Sequence, residues 1–487
     1  MTFLIQKEVS YVTKTLKKAN FEAFLIGGCV RDLILNRTPA DWDVTTNATP
    51  DEIITLFPHT FYENNFGTVG VVSDETEDER LKSIEVTTYR QEATYSDYRK
   101  PDQVSFSKNL EDDLKRRDFT VNAIAYDAEK ESFTDPYSGK TDIEKRLLRT
   151  VGTPSERFSE DALRIMRAVR LSAELDFTIE ENTEKAIQDM SHLLSKISME
   201  RIRDEFIRII LSDRPMEGLL LAKKLTILEQ VLPEILAGAG ITQNQAHAFD
   251  VLEHSLRTLA HAAKKNFPLS VRLAALFHDI AKPETRRKGQ NGEWTFYGHE
   301  VVGSRVTRNI LTRMRFPKET IEEVSKLVRW HMFFSDPEKV TLAGVRRLIR
   351  NVEKERVENL MNLRICDRIG TGRPKEEPYR LRKYQSMIEE AMRDPLTVSM
   401  LHIDGEKIME ISHETPGPRI GLVLHALLEE VLDDPSRNTK EYLEKRAQEL
   451  LRIPQEELRS IGEQGKMRRN EEEEKTLTQI RNRFHVK

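Results

Sequence analysis

The chain has 487 residues, of which 32% are charged and 7% aromatic, with a formal net charge of −5 and a mean hydropathy of −0.55. That length allows two to four domains, and the profile suits a helix-rich protein with much exposed surface. No apolar run approaches the ~20 residues of a membrane span, and the opening Met1-Thr-Phe-Leu-Ile-Gln-Lys-Glu8 lacks the apolar core of a signal peptide, so the expected location is the cytoplasm. The two cysteines, Cys29 and Cys366, fall in different predicted domains and read as buried thiols, not as a disulfide. The acidic balance argues mildly against a nucleic-acid partner, but 76 basic residues leave ample room for one positive face.

In chain order, Phe24-Leu-Ile26 reads as a short strand, Gly27-Gly28 as a close-approach turn, and Val30-Arg-Asp-Leu-Ile-Leu35 as a helix start. Glycines followed by a helix N-terminus suit an anionic phosphate chain, so Gly28 and Arg31 are expected to meet a triphosphate. Asp41-Trp42-Asp43 follows. Residues two apart on a strand share a face, and two carboxylates so placed form an oxygen cage for Mg²⁺. Thr49-Pro-Asp-Glu52 opens a helix, with Thr49 as N-cap and Pro50 at the first helical position. Phe66-Gly-Thr-Val-Gly-Val-Val72 and Ser83-Ile-Glu-Val-Thr-Thr-Tyr89 are rich in β-branched residues and read as strands. The alternation of the second can bring Glu85 beside the aspartates, although a lone Glu on a strand ordinarily faces solvent. Between Arg90 and Phe106 lies a polar segment without periodicity.

From Asp135-Pro-Tyr-Ser-Gly139 onward the pattern is helical almost throughout. The expected architecture is α+β, with a mixed α/β head over 1–145, a helical neck over 146–215, a helical body over 216–370 and a helical tail over 371–487. In the neck, Asp161, Arg164, Arg167 and Arg170 recur every three residues and are expected on adjoining positions of one helix face. A carboxylate only accepts hydrogen bonds and a guanidinium only donates. Alone, the series reads as an amphipathic helix with an incidental salt-bridged face; beside the upstream metal motif, Asp161 with Arg164 would complement the amino-plus-acceptor edge of cytosine or adenine, whereas uracil and guanine would face Asp161 with a carbonyl. A buried mismatch of that kind costs about 1–3 kcal/mol. In the body, His254, His278-Asp279, His299, His331 and Asp367 form an ordered series of metal-ligand types. The stretch from Gly462, with Lys466-Met-Arg-Arg469 and Glu471-Glu-Glu-Glu-Lys475, reads as a solvated or disordered extension.

Leu25-Ile-Gly-Gly-Cys-Val-Arg-Asp32 with Pro39-Ala-Asp-Trp-Asp-Val44, Ile84-Glu-Val-Thr-Thr-Tyr-Arg90, Asp113-Leu-Lys-Arg-Arg-Asp-Phe-Thr-Val-Asn-Ala123 and Glu160-Asp-Ala-Leu-Arg-Ile-Met-Arg-Ala-Val-Arg170 stand in one order. In these four motifs the chain resembles the class II tRNA nucleotidyltransferase/poly(A) polymerase family, and within it the CCA-adding enzymes. The resemblance covers roughly residues 20 to 210 and continues more weakly to about 450. It implies a nucleotidyltransferase-type head in which Asp41, Asp43 and Glu85 complete a carboxylate set for Mg²⁺. It also implies Gly27, Gly28, Arg31, Arg117, Asp118 and Asn122 at the nucleotide, and Asp161, Arg164, Arg167 and Arg170 on a nucleotide-selecting helix. Arg116 and Arg117 alone would read as a surface pair, and Asp118 serves either the ribose or the arginine beside it; the sequence leaves that open. The implied reaction is template-independent addition of C, C and A to tRNA 3′ ends from CTP and ATP. The full-length 90–106 segment matches a loop that the family's C-adding-only members have shortened.

His278-Asp-Ile-Ala-Lys282 with its flanking histidines and Asp367 resembles the metal-dependent HD phosphohydrolase family. That implies a divalent-metal site, with phosphoesterase action on 2′,3′-cyclic phosphates or 3′-phosphates of RNA ends, or a degenerate domain kept as an RNA-binding scaffold. Leu401-His-Ile-Asp-Gly405 and Pro416-Gly-Pro-Arg-Ile-Gly-Leu422 resemble the family's tRNA-contacting tail. Rival readings are a poly(A) polymerase, a C-only or A-only enzyme, and an HD phosphohydrolase with an RNA-binding head. The mixed charge of the tail counts against the polymerase, whose C-terminal region in this family is strongly basic. The sequence leaves the oligomeric state open.

Overall fold

The computed structural model describes residues 3–62, 67–73, 76–92, 104–243, 248–290, 292–333, 340–392, 398–412, 415–454 and 457–458. The expected loop between Arg90 and Phe106 falls largely outside them, as does the charged extension from Gly462. The chain divides into two compact units, Met1–Pro233 and Glu234–Lys487.

The first unit opens with α1 (Lys7–Lys18), whose Val9, Val12 and Leu16 recur at helical spacing and are buried. It continues through β1 (Phe24–Ile26), α2 (Gly28–Ile34), β2 (Asp43–Thr46) and α3 (Pro50–Leu56). Helix α3 starts as the sequence predicts: Thr49 and Glu52 form a reciprocal capping box, with Pro50 in the first turn. Strands β3 (Thr60–Tyr62), β4 (Thr68–Val72) and β5 (Ser83–Thr88) follow, then the ribbon β6 (Arg90–Glu92) and β7 (Val104–Phe106), α4 (Leu110–Lys115), β8 (Ala125–Asp127) and β9 (Ser132–Thr134). Seven strands form one sheet in the order β3-β4-β5-β2-β1-β8-β9. Only β2 and β5 run parallel; the other pairs are antiparallel. One face carries the buried Val44, Val69, Val71, Ile84 and Val86, packed toward α3. The alternate residues, Asp43, Thr45, Glu85 and Thr87, therefore share the other face.

The rest of the first unit is helical: α5 (Gly139–Glu144), α6 (Pro154–Glu160), α7 (Leu163–Leu175), α8 (Glu181–Met190), α9 (Met199–Leu211), α10 (Pro215–Lys224) and α11 (Leu228–Val231). A short parallel pair, β10 (Leu147–Leu148) with β11 (Thr178–Ile179), interrupts it. Helix α7 buries Ile165, Met166, Val169 and Leu171 and packs on α9 and α10.

Among its described residues the second unit is helical apart from one hairpin. Its order is α12 (Val251–Lys264), α13 (Leu269–Phe277), α14 (Lys282–Thr285), β12 (Arg287–Lys288), β13 (Trp294–Thr295), α15 (His299–Arg313), α16 (Lys318–Trp330), α17 (Leu342–Val352) and α18 (Val357–Gly370). Helices α19 (Tyr379–Ala391), α20 (Gly405–Ser412), α21 (Pro418–Asp433) and α22 (Lys440–Leu451) complete it. Helix α13 is buried from Ser270 to Phe277, Arg272 included, where it packs against α12, α16 and α18. Cys29 and Cys366 are both free and buried. Among the described residues no helix is long and apolar enough to cross a membrane.

Because the Thr49 cap is exposed and makes no contact with the carboxylate face, its loss isolates one helix end. Thr49→Ala is expected to lower the unfolding free energy of the first unit by about 1 kcal/mol, with Thr49→Ser near neutral. Urea denaturation followed by circular dichroism checks this.

Candidate active site and metal centre

Gly27 is the pivot of the head site. It caps α2 with φ +76°, a conformation side chains rarely adopt, and a Cβ there would lie 2.9 Å from Arg117 Nη1 and 3.2 Å from Asp43 Oδ2. The turn after β1 is thus pressed against a guanidinium and a carboxylate at once. Asp43 is the first residue of β2, half-buried, and Asp41 lies in the exposed bend before it. Asp43 pairs in register with Glu85 on β5, so the two side chains leave the sheet on one face. Burial raises the Asp43 carboxyl above its ordinary value; Arg117 opposes the shift and the charge of Asp41 adds to it. Crowded, partly desolvated carboxylates of this kind form a hard-oxygen donor set suited to a divalent cation.

A polar string runs away from this point. Arg31, buried, donates through Nη1 to Asn122 Oδ1 (2.8 Å) and through Nε and Nη2 to Asp32. Asn122 donates to Asp118 Oδ1 at 3.1 Å, which also accepts the Phe119 N–H at 2.8 Å. The other Asp118 oxygen accepts Arg167 Nε and Nη2 at 2.8 and 2.5 Å. In this structure Asp118 thus holds an arginine, Arg167 of the neck and not the adjacent Arg117. Burial would raise the Asp118 carboxyl; the charges of Arg167 and Arg164 and the bond from Asn122 outweigh it and hold the group far below the ordinary range. Arg116 and Arg117 are not a surface pair. Both hold the fully buried Asp113, at 2.6 and 3.2 Å, and Thr45 Oγ1 lies 3.4 Å from the same carboxylate.

The neck departs from the expected single face. Helix α6 ends at Glu160, and Asp161 lies between the helices in extended conformation (φ −142°). Its Oδ1 accepts the Leu163 N–H at 3.0 Å, so Asp161 starts α7 from outside. Arg164, one turn on, donates to Glu160, to the Arg157 carbonyl and to the Arg116 carbonyl (2.5, 3.1 and 3.0 Å). Arg170 differs from its expected place at the nucleotide. It is 4% exposed and engaged by Glu205 and Glu174 at 2.6 and 2.9 Å, an internal strut between α7 and α9. Arg201 on α9 was not legible beforehand. It grips Asp161 with two bonds of 3.2 and 2.7 Å across 40 residues, a separation no local pattern reveals. Asp113 carried a signal, being three and four residues before Arg116 and Arg117 on a helix.

In the second unit all six predicted groups converge and are buried. His254, His278 and Asp367 form one triad, and Asp279, His299 and His331 another. Asp279 links them: Oδ2 lies 3.2 Å from both His254 Nε2 and His278 Nε2, and Oδ1 lies 3.3 Å from His299 Nε2. The Nδ1 atoms of His278, His299 and His331 sit 2.9, 2.7 and 2.7 Å from the carbonyls of Ala275, Phe296 and Val328. Each Nδ1 must carry a proton to make that bond, which leaves a bare lone pair on Nε2 in the neutral ring. Yet Nε2 meets Nε2 at 3.0 Å between His254 and His278, and at 3.2 Å between His299 and His331. Lone pairs so opposed need a proton or a cation between them. Burial pulls His254 down, but Asp279 and Asp367 outweigh it and push it up to about 9. Lys282, three residues after Asp279, donates to it and to Gln243 at 2.6 Å each, a further buried contact absent from the predicted set.

Residues 23–149 match the family model of the poly A polymerase head domain, 176–238 that of the probable RNA and SrmB-binding site of polymerase A, and 251–372 that of the HD domain. Two separate stretches of the chain thus match the poly A polymerase head-domain model and the HD-domain model. The CCA-adding enzyme of Lactobacillus helveticus (strain DPC 4571) is 48% identical over 199 residues, 41% of this chain and 48% of that protein. That of Lactococcus lactis subsp. cremoris (strain MG1363) is 47% identical over 211 residues, 43% and 52% of the two chains. The chain thus spans about half the length of the curated relatives it matches. The structure of the Bacillus stearothermophilus CCA-adding enzyme in complex with CTP is 26% identical, covers 92% of this chain and 98% of its own, and superposes with a TM-score of 0.67. The Thermotoga maritima CCA-adding enzyme complexed with tRNA, 19% identical with a TM-score of 0.55 and covering 92% and 96%, shares the fold. The head, with its helical continuation and HD-type body, is therefore the α+β architecture that the sequence predicts.

The Asp118–Arg167 pair gives a pH-dependent stability of definite sign. A carboxyl depressed in the folded state contributes fully above its unfolded value near 3.9, and the contribution is lost as pH falls below that toward the folded value. Asp118→Asn is expected to destabilise the first unit by a constant amount from pH 5 to 8, the difference from wild type shrinking below about pH 4. Urea midpoints across that range measure it.

Proposed function

We propose that the chain is a CCA-adding tRNA nucleotidyltransferase of the cytoplasm, adding C, C and A to tRNA 3′ ends from CTP and ATP with release of pyrophosphate. The carrying observation is the in-register pairing of Asp43 with Glu85 on one sheet face, with Gly27 and Arg117 set against Asp43. The relatives named CCA-adding enzyme, including one solved with CTP, support the same reading. Asp41 and Asp43, with Glu85 beside them, would hold Mg²⁺, which when bound would activate the attacking 3′-hydroxyl and neutralise triphosphate charge. The remaining work belongs to side chains and backbone. Gly27 and Gly28 let the triphosphate approach the start of α2, and Arg31 and Arg117 supply positive charge there. Asn122 and Asp118 fix Arg31 and Arg167 in place. Asp161 and Arg164 read the base, accepting the amino group of cytosine or adenine and donating to the acceptor beside it. A base with a carbonyl in place of the amino group would leave Asp161 opposed to an acceptor. The division into head (1–145), neck (146–215), body (216–370) and tail (371–487) is part of this proposal.

A second activity is favoured by the six buried groups of the HD domain. With two triads bridged by Asp279, they would hold divalent cations able to supply a hydroxide for hydrolysis of a phosphate ester, such as a cyclic or terminal phosphate on an RNA end.

With a tRNA transcript ending at the discriminator base, CTP alone is expected to add two nucleotides, and a third only when ATP is also present. UTP and GTP are expected to be inert, and Asp41→Ala or Asp43→Ala to lower the rate by about 10²-fold or more. A long homopolymer from ATP alone would instead make the chain a poly(A) polymerase, and a stop after CC a C-adding enzyme. Asp279→Ala is expected to leave extension intact. If it abolished extension while Asp41→Ala was harmless, the HD domain would be the main enzyme.

Metal analysis of the dialysed protein is expected to find one divalent ion for each of the two triads. Asp279→Asn should lose both, because its carboxylate serves each, whereas Asp367→Asn should lose one. Retention of metal in Asp279→Asn would refute the bridged arrangement.

A further inference from the structure

The carboxylate row of the head continues, in register, to an exposed aromatic ring that no part of the proposed machinery uses. Asp43 on β2 pairs with Glu85 on β5, Glu85 with Gly70 on β4, and Gly70 with Phe61 on the edge strand β3. Cross-strand partners share a face, so all four point from the sheet on the side of the carboxylates. The Phe61 ring covers Gly70: a Cβ on that glycine would meet its Cζ, Cε1 and Cε2 at 2.3 to 2.8 Å. The ring is nonetheless 40% exposed. At the opposite end of the same row stand Gly27 and Arg117 against Asp43.

The chemistry gives this order a direction. In phosphoryl transfer the attacking oxygen and the departing pyrophosphate lie on opposite sides of the phosphorus. Resting on the reading above, the triphosphate belongs at the Gly27, Arg31 and Arg117 end. The attacking RNA end then approaches from β5 and β4. Its terminal base then meets the outer side of the phenyl ring that covers Gly70, about 5 Å, one strand, beyond Glu85. We propose that Phe61 is the stacking platform for the 3′-terminal base of the acceptor RNA. Stacking on a phenyl face accepts any base, and the acceptor must be tolerated with a discriminator base, a C or a second C at its end. A ring placed for stacking thus suits the acceptor side, just as a hydrogen-bonding pair suits the incoming side. The competing role is structural, an aromatic cover for a strand glycine, and a large aliphatic side chain would fill that role nearly as well.

The test uses the full chain and two independent readouts. In the first, no triphosphate is present, and tRNA transcripts carrying 2-aminopurine as their last residue are bound at saturation. Quenching of the 2-aminopurine is expected with wild type and Phe61→Tyr, and its loss with Phe61→Leu and Phe61→Ala. In the second, extension kinetics with Phe61→Leu should show KM for the RNA raised roughly 5- to 100-fold, with KM for CTP and the melting temperature unchanged. If Phe61→Leu matches wild type in quenching and in KM for RNA, the ring only covers Gly70 and the proposal falls, while nucleotide addition stands. If quenching depends on Phe61 but no chain, wild type included, extends the RNA, the transfer reading falls and the platform survives. Should Phe61→Ala fail to fold, the leucine and tyrosine variants still decide.

Discussion

The parallel pairing of β2 with β5 is the constraint on which the head depends. It is the only parallel contact in a sheet that is otherwise antiparallel, and its register sets Asp43 opposite Glu85. A slip of one residue in either strand would turn that strand's carboxylate into the apolar layer and expose its valine. The buried valines and Ile84 on the α3 side resist that slip. Packing on one face of the sheet therefore fixes the spacing of charges on the other. Parallel neighbours need a crossover connection, which here consists of α3 and the antiparallel strands β3 and β4. That crossover is what extends the carboxylate row to Phe61.

The two sites solve the problem of buried charge in opposite ways. In the head and neck, Asp113 and Asp118 each lie within bonding distance of guanidinium groups, Arg116 with Arg117 and Arg167 respectively, and both carboxyls are held below their ordinary range. These clusters are nearly balanced as they stand, and the Asp118–Arg167 pair holds the neck helix α7 to the head. In the HD domain four imidazoles and two carboxylates meet with one ammonium, Lys282, at the edge. Three rings are fixed by backbone carbonyls so that their bare nitrogens face inward. An arrangement organised around donors of electron pairs is built to be completed by a cation, whereas the arginine network is complete without one.

What was legible in the sequence follows from the range of each interaction. Asp41 and Asp43 stood out because strand periodicity is local, and Glu85 because it sat in a strand of clear alternation. The HD ligands stood out by type and order, but the inward aim of their Nε2 atoms depends on carbonyls that composition does not reveal. The helix break at Asp161 was missed because Glu160-Asp-Ala-Leu reads as continuous helix. What separates α6 from α7 is the Asp161 side chain reaching forward to the Leu163 N–H, a local bond that competes with helical continuation. Arg170 was misplaced for a related reason: a three-residue repeat marks a face, but α9 with Glu205 decides that this face is covered. Phe61 gave no signal, since its meaning lies in three successive strand registers.

The grip of Arg201 on Asp161 bears directly on how the proposed base reading can be selective. A carboxylate offers about four lone-pair positions. The Leu163 N–H and Arg201 Nη1 take up Oδ1, and Arg201 Nη2 takes one position on Oδ2. What is left on Asp161 matches one further donor, which is what a single amino hydrogen of cytosine or adenine presents. Arg164 is limited in the same manner. Two of its bonds come from Nη1 and one from Nη2, so Nε and the second Nη2 hydrogen are the donors left to meet ring acceptors. A side chain with many open positions could adapt to a carbonyl edge by rotating or by recruiting water. One already committed on its other positions has little such freedom. Under the proposed base reading, selectivity without a template would arise less from Asp161 and Arg164 than from the neighbours that exhaust their alternatives, Arg201, Glu160 and the Arg116 carbonyl.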